Sequence, residues 1–573
     1  MQRSIARRFA PLAALVVVQL LIIALAPSKA PDQSVSAFTG VDGSGSPIPG
    51  ASGSGDSGSG TGAGATPGAT TAGGSGGGGA TGSGGGGGGG QGGGGGGGDT
   101  SHCKGDRQYD PAIDFYAPPC VPKYEGDNGG ETYRGVSAET IKVVDYVGKG
   151  SDAVDTILKA QGAFVEVSQR QAYNEAVMKF INENYELYGR KLEIKIVQGN
   201  CATIPPDNAC LRSEMRQIAE DEQPLWLKWN ASLSSETFDE LSRLGVFNSG
   251  GWHFRDSFGE SHAPFHWDVQ MSGTDMARHA GQWYCQQMAK FKTEYAGTAN
   301  PAENLNGRDR LLGVIATNDP ENQTTVTEDL AAELGKCGVS YGGRFYFYSQ
   351  DITTADQQRR AAVLKMRSDG VATSIMCFCD LVAPSFLYSE EQQQNYYPEN
   401  LIVGSGFMDA DAASQAYMGT LGCPIAGRPC TFEDAFGLSS IAAQEPKFKD
   451  RGSRVWAAGG GQGNPPYDSV TSDWDYWNMI ASILQMTGPN ITPQTVAEGA
   501  ARLGCRGGGD TGQILRCFEP GSYSWNQDMR PVYWSTKTNS PFNGEPGSYI
   551  ELGPRIKLGE YPAAKWTMPG KPR

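Results

Sequence analysis

Histidine is scarce in this chain, with five copies in 573 residues. A nucleophile, a base and an orienting group cannot be assembled around so few imidazoles into a hydrolytic site. Basic residues are also short: 47 Lys and Arg stand against 62 Asp and Glu, a net charge of -15 with a pI near 5.0. The clustered cations that neutralise phosphates are missing, which excludes a nucleic-acid partner. Zinc-type spacing is lacking too, because Cys377-Phe378-Cys379 has neither CxxC spacing nor a second pair. The proline in His262-Ala263-Pro264-Phe265-His266 argues against the helical face that two imidazoles four apart require, and no carboxylate accompanies them. The glycine run at 459–463 lacks the Lys and Ser/Thr of a phosphate loop. Gly338-Val339-Ser340-Tyr341-Gly342 matches a serine-hydrolase pattern, but it leads from helix to strand where a nucleophile elbow leads from strand to helix. The similar match around Ser75 falls in a low-complexity repeat. No enzyme, metal or cofactor is expected.

Glycine is abundant instead, with 80 copies concentrated in one place. Residues 31–100 are a Gly/Ser-rich tether whose composition cannot bury enough apolar surface to offset its ordering entropy. Its sixty most biased residues would reach roughly 40 Å as a flexible coil. Residues 1–30 read as a signal peptide or an N-terminal membrane anchor: Arg3, Arg7 and Arg8 precede an apolar run from Leu12 to Ala26. That run is about 15 residues, against about 20 for a membrane span. Pro27 and Pro31 follow the small-residue cleavage points and hinder a peptidase, so both fates stay open.

Twelve cysteines in an exported chain point to disulfides. Local spacing suggests Cys103 with Cys120, Cys201 with Cys210, Cys423 with Cys430 and Cys505 with Cys517, and Cys285 with Cys337 between two helices. Cys377 and Cys379 sit awkwardly for a mutual bridge and are expected to seek distant cysteines. Residues 101–134 form a disulfide-pinned lead-in.

From Glu139 strand and helix alternate. Ile141 to Val144, Lys191 to Val197, Leu225 to Trp229 and Val246-Phe247 are expected strands; Gln161 to Asn184, Cys210 to Glu220 and Ser235 to Leu244 are expected helices. The same grammar restarts at Arg308. Leu311 to Ile315 is a short apolar strand, Val326 to Leu334 a helix and Phe345 to Tyr348 a strand, followed by a strand at Ala372 to Cys377, a helix near Pro384 to Glu391 and a strand at Leu401 to Val403. Ser469 to Met486 reads as an amphipathic helix docked on an existing core. Such alternation calls for parallel sheets covered by helices, an α/β fold.

The order of these features resembles the extracytoplasmic solute-binding proteins of ABC importers, in the branched-chain amino-acid-binding group with the type I periplasmic-binding fold. Gly135-Val-Ser-Ala-Glu-Thr-Ile-Lys-Val opens the fold as that family does; Ile181 to Glu193 and Leu312-Gly-Val-Ile-Ala-Thr-Asn-Asp are similar to its later segments. The likeness spans about Gly135 to Gly553. It implies two doubly wound lobes in a Venus-flytrap architecture, joined by three crossovers: residues 135–272 and 431–516 in lobe 1, 273–430 and 517–553 in lobe 2, and 554–573 as a C-terminal tail. It also implies a monomeric receptor outside the cytoplasm that closes on a small molecule and is recognised by ABC importer permease subunits. Membrane contact would come only through the N-terminal segment.

By position, the resemblance places candidate ligand contacts at strand ends and helix starts. In lobe 1 these are Tyr146, then Asn230, Ser232 and Ser234 before a helix, then Gly251, Trp252 and His253. In lobe 2 they are Asn318, Asp319, Phe378, Asp380, Phe407 and Asp409, with Asp380 or Asp409 able to meet a ligand ammonium group. The indole of Trp252 hints at an aromatic or ring-bearing ligand; amino acids and amides stay open. Two other readings remain beside import: a membrane-tethered sensing ectodomain, since no cysteine near residue 30 could take a lipid anchor, and a secreted hydrolase, disfavoured by the missing catalytic set.

Overall fold

The structure, a computed structural model, describes residues 98–150, 155, 164–203, 205–229, 234–251, 253–296, 304–339, 344–370, 373–380, 383–405, 408–423 and 430–569. The N-terminal segment 1–30, nearly all of the tether, Ser75 and Ser340 lie outside them. Among the described residues no helix is long and apolar enough to cross a membrane.

β1 (Thr140–Lys149), β2 (Lys191–Ala202), β3 (Trp226–Trp229) and β4 (Phe247–Ser249) form one sheet in the order β2-β1-β3-β4, with every pairing parallel. Side chains alternate across a strand, and both faces of this sheet are apolar. Ile141, Val143 and Trp226 enter one core with the helices Val167–Asn184 and Val470–Thr487. Val144, Tyr146 and Leu227 enter another with Asn208–Asp221 and Ser235–Arg243. The Asn208–Asp221 helix starts where the Asp207 carboxylate accepts from the Cys210 N–H. This is the first lobe, with helices on both faces of a parallel sheet.

The second lobe is built on β5 (Leu312–Thr317), β6 (Phe345–Tyr348), β7 (Ser374–Phe378), β8 (Glu399–Val403), β9 (Phe436–Ser439), β10 (Asp528–Asn539) and β11 (Pro546–Glu551), ordered β11-β10-β9-β8-β7-β5-β6; β12 (Ile556–Lys557) pairs with β10. β5 to β9 run parallel, while β10 runs antiparallel to β9 and β11 antiparallel to β10. Every residue of β5, β7, β8 and β9 is buried, as expected of parallel strands covered on both faces. One carboxylate among them, Glu399, is neutralised by Arg310 at 2.8 Å.

Four details depart from the sequence reading. Residues 431–439, placed in lobe 1, belong to the second sheet: Phe432, Ala435, Phe436 and Leu438 pack in its core, and β9 pairs with β8 and β10. Conversely, Trp525 packs in the first lobe, with Phe518 and Tyr523 against it. The stretch after 553 is no loose tail, because Tyr561, Trp566 and Met568 are buried in the second-lobe core and Trp566 stacks on Phe436 at 4.2 Å. The helix Val470–Thr487 is not amphipathic but buried nearly all round, because the lead-in covers it: Asp114 accepts from Trp474 Nε1 at 2.7 Å and from Asn478 Nδ2 at 2.5 Å.

The disulfides join Cys103–Cys120, Cys201–Cys210, Cys285–Cys337, Cys423–Cys430 and Cys505–Cys517. The sixth is a correction: Cys377 bonds Cys379 rather than a distant partner. Their Cα atoms are 5.2 Å apart, closer than the roughly 6.6 Å of two extended residues. β7 stops at Phe378, and the chain draws in enough there for the two thiols to meet.

Candidate functional site

Three chain crossings link the lobes, and each uses the same edge of its sheet. The first leaves the carboxyl end of β4, the second leaves the carboxyl end of β9, and the third returns into β10, whose start lies beside the carboxyl end of β9 because the two strands are antiparallel. The lobes therefore meet at the carboxyl edges of the parallel strands of both sheets, where open α/β sheets bind ligands.

Hydrogen bonds and charge hold the crossings together. Asp268 in the first crossing pairs with the third through Asp268 N–H to Tyr523 O and Trp525 N–H to Asp268 O, both 2.8 Å. Its carboxylate accepts from Tyr476 at 2.9 Å, and burial pushes that carboxyl up to about 7. Asp475 grips Arg451, just beyond the second crossing, at 2.5 to 2.9 Å, and Arg516, in the third, at 2.6 to 2.9 Å. Burial raises the Asp475 carboxyl, but the two guanidiniums outweigh it and hold the group below its usual value. On the second-lobe side Arg555 bonds Asp528 at 2.7 Å and donates to the carbonyls of Ser440 and Ile441.

A further buried cluster lies near the carboxyl ends of β1 and β3. Lys228 contacts Asp145 at 3.0 Å and Asp473 at 2.8 Å, and Arg170 bonds Asp473 at 2.9 Å. Burial raises Asp473, yet Arg170 and Lys228 overcome this and keep it ionised. Asn174 and Tyr467 fill remaining acceptor sites, and Lys228 lies 4.7 Å from the Trp477 ring. Two cations against two anions leave the interior neutral.

The sequence-proposed contacts separate into groups. Asn230, Ser232, Trp252 and Phe407 lie outside the described residues. Tyr146 points into the first-lobe core and bonds Glu214. Ser234 is buried and donates to Asn208 at 2.6 Å. Gly251 has φ +109°, and a Cβ there would sit 2.5 Å from the Phe254 ring, so glycine permits that approach. Asp319 caps the helix Pro320–Thr324 by accepting from Asn322 N–H at 2.9 Å, while Asn318 beside it is exposed. Phe378 is core. Asp380 accepts from Tyr348 at 3.1 Å and from Ala383 N–H at 2.8 Å, starting the next helix.

Two of the named residues stand at the junction. His253, at φ +56°, places Nδ1 2.8 Å from the Met271 carbonyl and Nε2 2.8 Å from the Ser405 carbonyl of the second lobe. Burial lowers its pKa, opposed by the two carbonyls and Asp409. Asp409 is buried, and its Oδ2 accepts from Ser439 at 2.9 Å and from Ser440 N–H at 2.8 Å. Its Oδ1 has no hydrogen-bond partner among the described residues.

Sequence reasoning missed Asp268, Asp475, Arg516 and Arg555. The one local signal was acidity inside a tryptophan-rich helix, Asp473 and Asp475 in Ser472-Asp-Trp-Asp-Tyr-Trp477, where a charge needs a buried partner. His262 and His266, set aside as ligands, bond Asp239 and Asn248. Among the described residues no group of three His, Cys, Asp or Glu could hold a metal.

The chain is similar to solved solute-binding proteins. One is a possible leucine/isoleucine/valine-binding protein from Rhodopirellula baltica SH 1, 12% identical, covering 72% of this chain and 96% of that one, TM-score 0.46. Another is an ABC transporter solute-binding protein from R. palustris in complex with 4-hydroxybenzoate, 10% identical, covering 74% and 98%, TM-score 0.49. A third is a fatty acid ABC transporter substrate-binding protein from Thermomonospora curvata, 12% identical, covering 75% and 96%, TM-score 0.49. No family model matches the sequence, and no curated protein matches it.

Proposed function

We propose that the protein is an extracytoplasmic solute receptor that captures a small molecule between its lobes and presents it to the permease of an ABC importer. The observation that carries this reading is the meeting of two sheets at the carboxyl edges of their parallel strands, joined by three crossings, an arrangement suited to hinged closure on a ligand. Among the described residues no nucleophile and base are brought together at the junction: both ring nitrogens of His253 lie against backbone carbonyls, and Asp409 is tied to Ser439 and Ser440. Capture rather than turnover fits such groups.

The ligand class is an amino acid, an amide or a ring-bearing compound. A buried carboxylate oxygen at Asp409 favours a ligand that donates a hydrogen bond or carries an ammonium group. A thermal-shift screen of the full chain against amino acids, amides and aromatic acids tests this. A ligand at about 100 times its dissociation constant adds roughly 2.7 kcal/mol to folding stability. Stabilisation by none of them, together with turnover of an ester or peptide probe, would refute the receptor reading.

A further inference from the structure

One seam between the lobes carries more acid than its partners neutralise. The chain from Gly250 to Phe265 leaves β4 and is anchored in the first lobe by Phe254 and Phe258, which pack with Phe238 and Leu241. Its other side meets the second lobe. Arg255 Nε donates to Asp329 at 2.9 Å, Nη2 to Glu328 at 3.2 Å, and its backbone N–H to Glu321 at 3.2 Å. Asp256 faces Arg278 at 3.3 Å, and the same guanidinium reaches Asp275 at 3.2 Å. Thr274 donates to Asp329 at 3.2 Å, closing the cluster. Four carboxylates, Asp256, Asp275, Glu328 and Asp329, thus share the two guanidiniums of Arg255 and Arg278, and a fifth, Glu321, accepts from the Arg255 backbone N–H.

The surroundings do not make up the deficit. Glu260 lies on the same helix as Asp256, Glu519 of the third crossing, itself 3.9 Å from Lys557, acts on Asp275, and Asp319 and Asp239, the latter bonded to His262, act on Glu321. Across a cavity of about 10 Å³, the volume of one water probe, stand His253, His266 and Asp268. Burial holds His266 down to about 3, so it supplies no cation at neutral pH. Burial, then the charge of Asp256, pushes Asp275 up to about 6, and burial raises Asp256 and Glu321 as well.

We propose that this seam is a proton-operated contact between the lobes, strained by like charge when its carboxylates are ionised and tightened when Asp256 or Asp275 takes up a proton. The sign follows from linkage. A carboxyl that holds its proton more tightly in the joined seam than in water favours joining as pH falls through its raised pKa, and the gain disappears as pH rises above it. Lobe movement is therefore freer at neutral pH and restrained in mild acid. Any consequence for ligand release rests on the two-lobe capture reading; the proton dependence of the seam does not.

Hydrogen exchange of the full chain without ligand separates the two. Amides of residues 254–261 are followed at pH 5 and pH 7.5 and corrected for the intrinsic chemical rate. Protection at pH 5 should exceed that at pH 7.5 by about tenfold, the value of one pKa unit, beyond any change in the helix Val470–Thr487. In Asp256→Asn/Asp275→Asn the gain should vanish, with acid-level protection already present at pH 7.5. Should that variant not fold, Glu321→Gln alone should reduce the gain. Equal or weaker wild-type protection at pH 5, or a full gain surviving in the folded variant, overturns the proposal.

Discussion

Replacing Asp268 by asparagine should stabilise the protein at alkaline pH and leave it unchanged in acid. The carboxylate is buried where the first and third crossings pair, with Tyr476 donating to it at 2.9 Å and the Gln270 N–H at 3.1 Å. These neutral donors, with the Val269 N–H, do not offset the loss of water, and the group sits at about 7 against an ordinary 3.8. The folded state therefore binds the proton more tightly than the unfolded chain. Stability from this group is fully present below pH 4 and is lost as pH rises through about 7. At about 1.4 kcal/mol per pKa unit, the interval is worth on the order of 4 kcal/mol. Asparagine keeps an acceptor for Tyr476 and Gln270 and imitates the protonated acid. Urea unfolding followed by tryptophan fluorescence at pH 4, 6 and 8 should show the variant and parent coinciding at pH 4, then parting progressively in favour of Asp268→Asn. A pH-independent difference, or a variant weaker than the parent at pH 8, would refute the argument.

Asp475→Ala leaves Arg451 and Arg516 buried without a counter-charge, which costs about 3–5 kcal/mol for a pair of this kind; a urea midpoint unchanged from the parent would show that the clamp contributes nothing. Removing the Cys285–Cys337 bond with Cys285→Ala/Cys337→Ala frees a loop with a sequence separation of 52 and should cost about 4 kcal/mol by the loop-entropy estimate. Denaturation with and without reductant checks this, since the variant should respond less to reductant than the parent.

What could be read from the sequence was what is local. Leu312 to Thr317 is an uninterrupted buried strand, and a short apolar run beside a capped helix announces that. What was hidden depends on partners far along the chain. Asp145 meets Lys228 across 83 residues, Lys228 meets Asp473 across 245, and Arg170 meets Asp473 across 303. Each alone looks like a solvated surface charge. β9 was missed because four residues, Phe436 to Ser439, are too short for a period to show, and glycine within them weakens the strand signal. The C-terminal stretch was misread because its proline and glycine content resembles a tail, although Trp566 and Tyr561 are core residues. For the candidate site, position after a strand named His253 and Asp409, which lie at the junction, together with Tyr146 and Phe378, whose side chains turn into cores, because sequence position alone does not say which way a side chain points.

The charge clamps also say how the crossings are fixed to each lobe. Arg451 and Arg516 are both bidentate to one carboxylate, so the chain after the second crossing and the chain at Arg516 form one unit with the helix Val470–Thr487. Arg555, bonded to Asp528 and to the carbonyls of Ser440 and Ile441, does the same at the second-lobe end. Between the clamps lie residues 442–450 and 517–527. The second of these is itself folded back on the first lobe, since Trp525 packs in that core and Asp528 accepts from the Leu515 N–H at 2.9 Å, and parting any of these buried charges from its partner would cost several kcal/mol. The first crossing is bound differently, by backbone pairing of Asp268 with Tyr523 and Trp525, and so follows the third. Buried charge thus ties the first-lobe ends of the second and third crossings to one helix and their second-lobe ends to one arginine.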